Sequence, residues 1–440
     1  MRYLYFILIV ASMFFRGAYA DVEKLKFSLH KLESSQQGPT ILVIGGIQGD
    51  EPGGFNAASL LVTEYSIHSG NVWVVPNLNF PSIIHRSRGI YGDMNRKFAD
   101  IKPDDPEYDI VEKIKAIILD KRVDIVLNLH DGSGFYRPVY IDKLHNASRW
   151  GQSVIIDQAE LPDVKYGNLQ QLADEVAQHV NKIISRKNHW FAVKNTHTRE
   201  GDREMEKTLT YFAIQHQRPA FGVEASKSFL THERTLFHLQ IVEAFMQKLG
   251  IEYTRGFNLT SRAVKQRIDN NVKLALYENR IFFDMARARA RLSYIPMRKD
   301  SPLEFSSSNP LVAVINKKRY YQVRYGNRHV TRLHPEYFEF DDSLQNVKLE
   351  IDGVLHEVKL GTAVKVLDKF KVLPLEGYRI NVIGFRRKGV RNESGLLISR
   401  NDIARRFSVD KSAKFYRVEF YRGNRFCGMV LVDFTSNSRV

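Results

Sequence analysis

The sequence predicts a multidomain chain: an α/β domain on a mixed, largely parallel sheet, then a small β-rich, barrel-like domain and an immunoglobulin-like β-sandwich. Three observations carry this. The chain has 440 residues, and a domain takes about 100 to 200. Between residues 40 and 253 short apolar runs alternate with helical patterns, the signature of βα units. After Gly250 that alternation stops, and short strands joined by tight turns take over. Hydrophobic residues at 43% and charged residues at 26% are ordinary for a soluble globular chain. Disordered, collagen-like and polytopic membrane classes are thereby excluded.

In chain order, residues 1–20 read as an export signal. Arg2 supplies the positive start, Leu4 to Phe15 the apolar run, and Ala18-Tyr19-Ala20 the small-x-small cleavage site. The run of 12 residues is too short to span a bilayer, which takes about 20, so the cleaved chain has no stable membrane insertion. The first folded domain is expected over 21–253, with strands at Thr40 to Ile44, Asn71 to Val75, Asp124 to Leu129 and Ala220 to Val223. A helix over Leu169 to Ser185 places Leu172, Val176, Val180, Ile183 and Ile184 on one face, and Glu233 to Leu249 reads similarly.

The second domain, 254–340, holds strands at Val272 to Tyr277, Arg280 to Phe283, Leu311 to Ile315 and Tyr320 to Tyr325, with a helix near Asp284 to Arg291. Its end is expected in the acid-rich stretch His334 to Asp342. In the third, 341–440, Val347 to Ile351 and the strand from Val354 flank Asp352-Gly353, a favoured type I′ turn pair. Phe415 to Phe420 and Phe426 to Val432 form another hairpin around Gly423-Asn424. Cys427 is the only cysteine, which excludes an intrachain disulfide and a Cys-rich zinc site. The run Arg287, Arg289, Arg291 reads as a solvated face.

Lys plus Arg is 65 against 49 Asp plus Glu, a net +16, or +14 once Arg2 and Arg16 are removed with the leader. Such a surface favours anionic partners. For an exported chain the polyanion is wall or extracellular material, and nucleic acid is excluded as a partner.

Four polar segments end or follow the apolar strands, where open α/β sheets bind ligands. They are Gly45 to Gly54, Arg86 to Arg96, Asn128 to Gly132 and Phe221 to Ser226. Within them stand Gln48-Gly49-Asp50-Glu51, Asp93-Met94-Asn95-Arg96, His130 and Glu224. In that order they resemble the zinc carboxypeptidases of the carboxypeptidase A type, whose motifs are His-x-x-Glu, Asp-x-Asn-Arg, a third ligand His and a catalytic Glu. The resemblance covers Thr40 to Leu249. With export, three domains and Gln48 in place of the first His, it is closer still to the murein tripeptide D,L-carboxypeptidases that set cell shape in helical epsilonproteobacteria.

The resemblance implies a periplasmic peptidase with one zinc per chain held by Gln48, Glu51 and His130. It implies Glu224 as general base and then acid, Arg88 as oxyanion stabiliser, and Asn95 and Arg96 as holders of the substrate's terminal carboxylate. Arg86, two residues away, can exchange roles with Arg88, although the spacing to Asp93 favours Arg88. The family's tyrosine has no counterpart between Lys194 and Leu209; Thr208 or Thr210 faces the substrate there or caps a helix. An amide oxygen at position 48 predicts weaker metal binding than an imidazole and a more electrophilic site. The substrate implied is the murein stem peptide, and the β domains shape the cleft, bind the wall or meet other cell-shape proteins.

Two other readings compete. One is a small-molecule N-acyl deacylase of the succinylglutamate desuccinylase/aspartoacylase type, against which the leader and extra domains argue. The other is a non-catalytic murein-binding scaffold in which Gln48 marks a lost zinc site. Trp150 and Tyr136 line the cleft or sit in the core, and His85, His189, His197 and His216 form no second constellation.

Overall fold

The computed structural model describes residues 25–270 and 272–435 together with Val22. The expected leader lies outside the described residues. The chain divides into two compact units, 1–268 and 269–440.

The first unit is organised by a seven-stranded sheet. Its spatial order is His30–Glu33, Asn71–Val75, Thr40–Gly45, Ile125–Gly132, Ala220–Ser226, Ser153–Ile156 and Ala192–Asn195. The three central contacts are parallel, Thr40–Gly45 with both neighbours and Ile125–Gly132 with Ala220–Ser226. Two antiparallel pairings make the sheet mixed. Every residue of Thr40–Gly45 and of Ile125–Gly132 is buried, as parallel strands covered on both faces must be. Each fully buried branched side chain there contributes about 1.5–3 kcal/mol. From Thr40–Gly45 the chain passes through helix Pro52–Glu64 to the neighbour on one side, Asn71–Val75, and later places Ile125–Gly132 on the other side. That reversal opens a crevice at the carboxyl ends of the strands.

The unit runs past the expected end at 253. Strand Glu252–Arg255 pairs antiparallel with Tyr65–Ser69, and Arg255 Nε meets Glu243 Oε1 at 2.9 Å. Helix Ser261–Asn270 follows, its Arg267 held 3.5 Å from Glu64. The other expected long helix stops earlier, at Asn181, where Lys182 is the cap. Ile183 is therefore off the helix and 61% exposed, not on its buried face.

In the second unit, Lys273–Leu276, Ile281–Asp284 and Phe305–Ser307 form a three-stranded sheet, and Arg291–Arg298, Arg328–Phe338, Tyr321–Tyr325 and Val312–Asn316 a four-stranded one. The helix expected near 284–291 is absent. The Asp284 carboxylate accepts the Ala286 N–H at 2.9 Å, Arg287 takes a left-handed φ of 58°, and Ala288 bridges to Asp410. A local side-chain bond and strand pairing thus override alanine's helix propensity. The stretch His334 to Asp342, where the second domain's end is expected, opens inside strand Arg328–Phe338, which pairs on both sides and carries Pro335 opposite Ile295, and its remainder lies before the next strand, Asn346–Ile351.

Two further four-stranded sheets complete the unit. One runs Val354–Lys359, Asn346–Ile351, Lys369–Val372, Ile398–Ser399; the other runs Ala363–Lys365, Arg425–Asp433, Phe415–Arg422, Tyr378–Val382. Leu349, Phe370, Tyr416, Phe420 and Val430 from both sheets share one core, with Cys427 buried in it. The two expected hairpins are both present, and Asp352 and Gly353 have the φ values of 50° and 88° that a type I′ turn requires. Among the described residues no helix is long and apolar enough to cross a membrane.

Candidate active site

The crevice holds a cleft of about 290 Å³ lined by residues from all four polar segments, a size near the low end for small-ligand pockets. Gln48 and Glu51 lie on the loop after strand Thr40–Gly45, His130 near the end of the adjacent strand, and Glu224 opposite His130 in the parallel register of the next. The loop depends on two glycines. Gly46 has a φ of 74°, and a Cβ on Gly49 would stand 2.1 Å from the Ser82 backbone.

Gln48, Glu51 and His130 are 2%, 4% and 6% exposed, and their donor atoms converge. His130 Nδ1 lies 3.2 Å from Gln48 Oε1 and 2.9 Å from Glu51 Oε2. The Gln48 amide is oriented by Asp93, whose carboxylate only accepts and takes the Nε2–H at 2.7 Å. Oε1 is thereby turned towards His130. An amide oxygen, a carboxylate oxygen and an imidazole nitrogen form a donor set that fits a zinc ion. Among the described residues no three His, Cys, Asp or Glu side chains are grouped to hold a metal ion, here included, because the third donor of this set is the Gln48 amide.

Asp93 does more than hold Gln48. It also receives Arg88 Nε at 2.9 Å and the Asn95 N–H at 3.0 Å, so one carboxylate joins three of the sequence-predicted residues. Burial alone would raise its pKa, but Gln48, Arg88 and Arg96 outweigh that and hold it below the usual range. Asn95 accepts the Leu209 N–H on Oδ1 at 3.0 Å, which leaves its amide nitrogen for the cleft. Arg96 lines the same wall. Thr208 caps helix Leu209–Gln215 by accepting the Tyr211 N–H, and with Thr210 it lines the cleft. Arg86 is not brought in. It forms the left-handed cap of helix Phe80–His85, with a φ of 57°, while Arg88 lines the cleft.

Burial is the main influence on Glu224; with Glu51 and Asp131 it outweighs His130 and Lys227 and pushes the carboxyl up to about 8. A carboxyl near neutrality can both take and return a proton. Burial pushes His130 down, but the bond to Glu51 together with the charges of Glu51, Glu224 and Asp93 outweighs it and raises the group above its usual value.

Several lining residues were not legible in the motifs. Lys227 Nζ is 3.3 Å from Glu51 Oε1. Asp131 accepts Gly53 N–H at 2.8 Å and pairs with Arg234 at 2.7 Å, tying the loop carrying Glu51 to helix Thr231–Leu249. Trp150, expected in the cleft or the core, lines the cleft, and Lys194 Nζ lies 3.9 Å from its ring. These partners are remote in sequence, so no local spacing announces them.

Residues 1–269 match the family model described as carboxypeptidase controlling helical cell shape, catalytic. Residues 340–435 match the C-terminal domain of metallo-carboxypeptidase. Among solved structures, the apo form of the cell shape determinant protein Csd4 of Helicobacter pylori is 38% identical with a TM-score of 0.85, covering 93% of this chain and 100% of that one. Its tripeptide-bound form is 39% identical, with a TM-score of 0.84 and the same coverage. Its mDAP-bound form, described as a D,L-carboxypeptidase, is 39% identical with a TM-score of 0.85, covering 92% of this chain and 100% of that one. A curated relative, the N-alpha-acetyl-L-2,4-diaminobutyric acid deacetylase of Halomonas elongata, is 35% identical over 104 residues, 22% of this chain and 29% of that protein's length. With the catalytic model spanning more than half of the sequence, the chain belongs to the metallocarboxypeptidase family that controls helical cell shape.

Proposed function

We propose that the protein is a periplasmic, zinc-dependent D,L-carboxypeptidase that trims murein stem tripeptides, L-Ala-γ-D-Glu-meso-diaminopimelate, to dipeptides. It would release diaminopimelate and so contribute to helical cell shape. The observation that carries this is the convergence of Gln48 Oε1 and Glu51 Oε2 on His130 Nδ1, beside Glu224 and the Arg88, Asn95 and Arg96 wall. The tripeptide and mDAP complexes of Csd4 support the choice of substrate.

One zinc per chain would be held by Gln48, Glu51 and His130; when bound, it supplies Lewis acidity, polarising the scissile carbonyl and acidifying water. Asn95 donates from its free amide nitrogen to the terminal carboxylate, and Arg96 supplies a guanidinium fork matched to it. Arg88, kept in place by Asp93, stabilises negative charge as it develops on the carbonyl oxygen. Glu224 takes a proton from the attacking water as the C–O bond forms, then gives it to the diaminopimelate amine as the C–N bond breaks. Thr208 and Thr210 line the cleft beside Asn95, which accepts the Leu209 N–H between them, and would border the bound substrate there.

The second unit reads as two modules. One is the barrel-like domain expected over 254–340, beginning after the helix that ends at Asn270. The other is an immunoglobulin-like sandwich over 341–440, a division supported by the separate family match at 340–435. The test is incubation of the mature protein with defined murein tri-, tetra- and pentapeptides, with products identified by mass. Diaminopimelate should leave the tripeptide and nothing should leave the pentapeptide. An intact tripeptide would overturn the reading.

A further inference from the structure

We propose that a basic groove in residues 269–440 is a second site on this protein, one that docks the carboxylate-bearing glycopeptide of the wall. The groove, about 350 Å³, is lined by Arg291, Tyr294, Arg386, Arg406, Phe407 and Arg417 among others, and by no Asp or Glu. Arg291, Arg386 and Arg406 are exposed, and among the described residues none of them has a carboxylate within ion-pair distance. Of the arginine run read from sequence as a solvated face, Arg291 therefore serves this groove, whereas Arg289 is consumed internally. Its guanidinium bonds Ser408 Oγ at 2.9 Å and the Arg405 carbonyl at 2.8 Å. That pins the segment carrying Arg406 and Phe407.

The opposite wall is equally fixed. Arg417 is 3% exposed, lies 3.0 Å from Glu419 Oε1, and donates to the carbonyls of Tyr294 at 2.9 Å and Ser293 at 3.0 Å. Those carbonyls sit in an irregularity where the register of Arg291–Arg298 against Arg328–Phe338 slips between Leu292 and Ile295. Tyr294 has a φ of 57°, in the left-handed region, and the residue is 60% exposed. Neither backbone preference nor burial favours a tyrosine there, and strain of this kind concentrates at binding sites. A buried arginine thus holds an exposed tyrosine at the edge of a groove rich in guanidinium groups. Tyr and Arg are the residues that carry binding energy at interfaces, and fixing them in advance lowers the entropic cost of binding.

Guanidinium forks match carboxylates. Three of them without internal counter-charge fit an anion repeated along a polymer, and murein repeats carboxylates on every stem. For the identity of that polymer the inference rests on the murein reading above; the preference for anions does not.

The test uses the full mature chain carrying Glu224→Gln, which keeps the stems intact, in co-sedimentation with purified sacculi. Adding Arg386→Glu and Arg406→Glu should weaken binding by roughly tenfold or more, through loss of two charge-assisted contacts. The same pair in the active enzyme should leave kcat/KM on soluble tripeptide within about twofold while slowing diaminopimelate release from sacculi. Tyr294→Gly relieves the left-handed strain, so it should keep or raise thermal stability yet weaken sacculus binding; a structural role for the ring would lower both. Unchanged sedimentation of the double variant overturns the groove. So does a result in which the variant loses binding only to vesicles of phosphatidylglycerol and phosphatidylethanolamine. Soluble tripeptide turnover by the unaltered enzyme is read separately, so failure of the murein peptidase reading is distinguishable from failure of the groove.

Discussion

The two units differ more in charge than in size. Residues 1–268 carry 33 Lys and Arg against 30 Asp and Glu, a net +3, whereas residues 269–440 carry 32 against 19, a net +13. Most of the +16 read from the whole sequence therefore resides outside the unit that holds the catalytic cleft. In the first unit the cations of the cleft are balanced by internal partners. Arg88 meets Asp93 and Glu51, Arg96 meets Glu204, and Lys227 meets Glu51 and Asp50. On the proposed reading such a site would recognise one terminal carboxylate through a few placed groups. The second unit keeps unbalanced charge at its surface, which raises the local concentration of a polyanion. On the proposed reading, selecting a bond and finding a polymer fall to different parts of one chain.

The largest effect that can test this division lies in the neutral unit. Glu224→Gln should lower turnover of soluble tripeptide by at least 10² to 10⁴-fold, the range for a general acid–base group, with zinc content and fold unchanged. Near-normal turnover would remove Glu224 from the chemistry. His130→Ala should fall from about one zinc per chain to none in elemental analysis, and retained zinc would break the ligand assignment. Gln48→His should hold zinc more tightly in a chelator titration, since imidazole nitrogen is the better partner for this metal.

A smaller effect concerns Asp93, whose place beside the ligands was not legible. Asp93→Ala frees the Gln48 amide and Arg88 together and should cost roughly 10- to 100-fold in metal affinity or activity, as loss of an outer-shell partner does. Equal zinc retention and activity would show that Gln48 needs no orienting partner. Substrate choice should depend on the far end of diaminopimelate. A tripeptide ending in lysine lacks one carboxylate, and its unpaired partner costs about 1–3 kcal/mol, a roughly five- to 150-fold loss in kcat/KM. Equal values for the two peptides would favour a broad peptidase.

What the sequence made legible follows from the range of each interaction. Strand Asn71–Val75 was placed to the residue because a buried parallel strand writes itself as a continuous apolar run. The Asp352-Gly353 hairpin was legible because a two-residue turn is local chemistry. The motif residues were legible because their types are dictated by what they bind. Lys227 and Asp131 were not, since their partners Glu51 and Arg234 are more than 100 residues distant. The run at Arg287 to Arg291 misled as a helix, although Arg287 and Arg291 are exposed as a solvated face requires. Its alanines carry helix propensity, but the Asp284 cap and the pairing of Ala288 with Asp410 decide its form.

The smallest expected effect lies at Asp352 in the basic unit, and it concerns stability, not turnover. The Asp352 carboxylate accepts three backbone N–H groups, from Leu367 at 2.8 Å, Asp368 at 2.9 Å and Lys369 at 3.0 Å, fastening the type I′ hairpin to the strand beside it. Partial burial would raise its pKa, but those bonds and the Lys369 charge outweigh it and hold the group below its usual value. A depressed folded pKa means the contribution is present above the unfolded value of about 3.9 and is lost as pH falls through the folded one. Because the side chain is exposed, Asp352→Asn should cost only a few tenths to about 1 kcal/mol at pH 7. Asparagine also tolerates the left-handed φ of 50°, so the backbone adds no further cost. Hydrogen exchange of the amides in Asn346–Ile351 and Val354–Lys359 reads this locally. Faster exchange in the variant at pH 7, converging with the unaltered protein as pH falls through the depressed folded pKa, is the expected outcome. A difference that persists unchanged into acid would mean that the side chain's shape, not its charge, holds the hairpin.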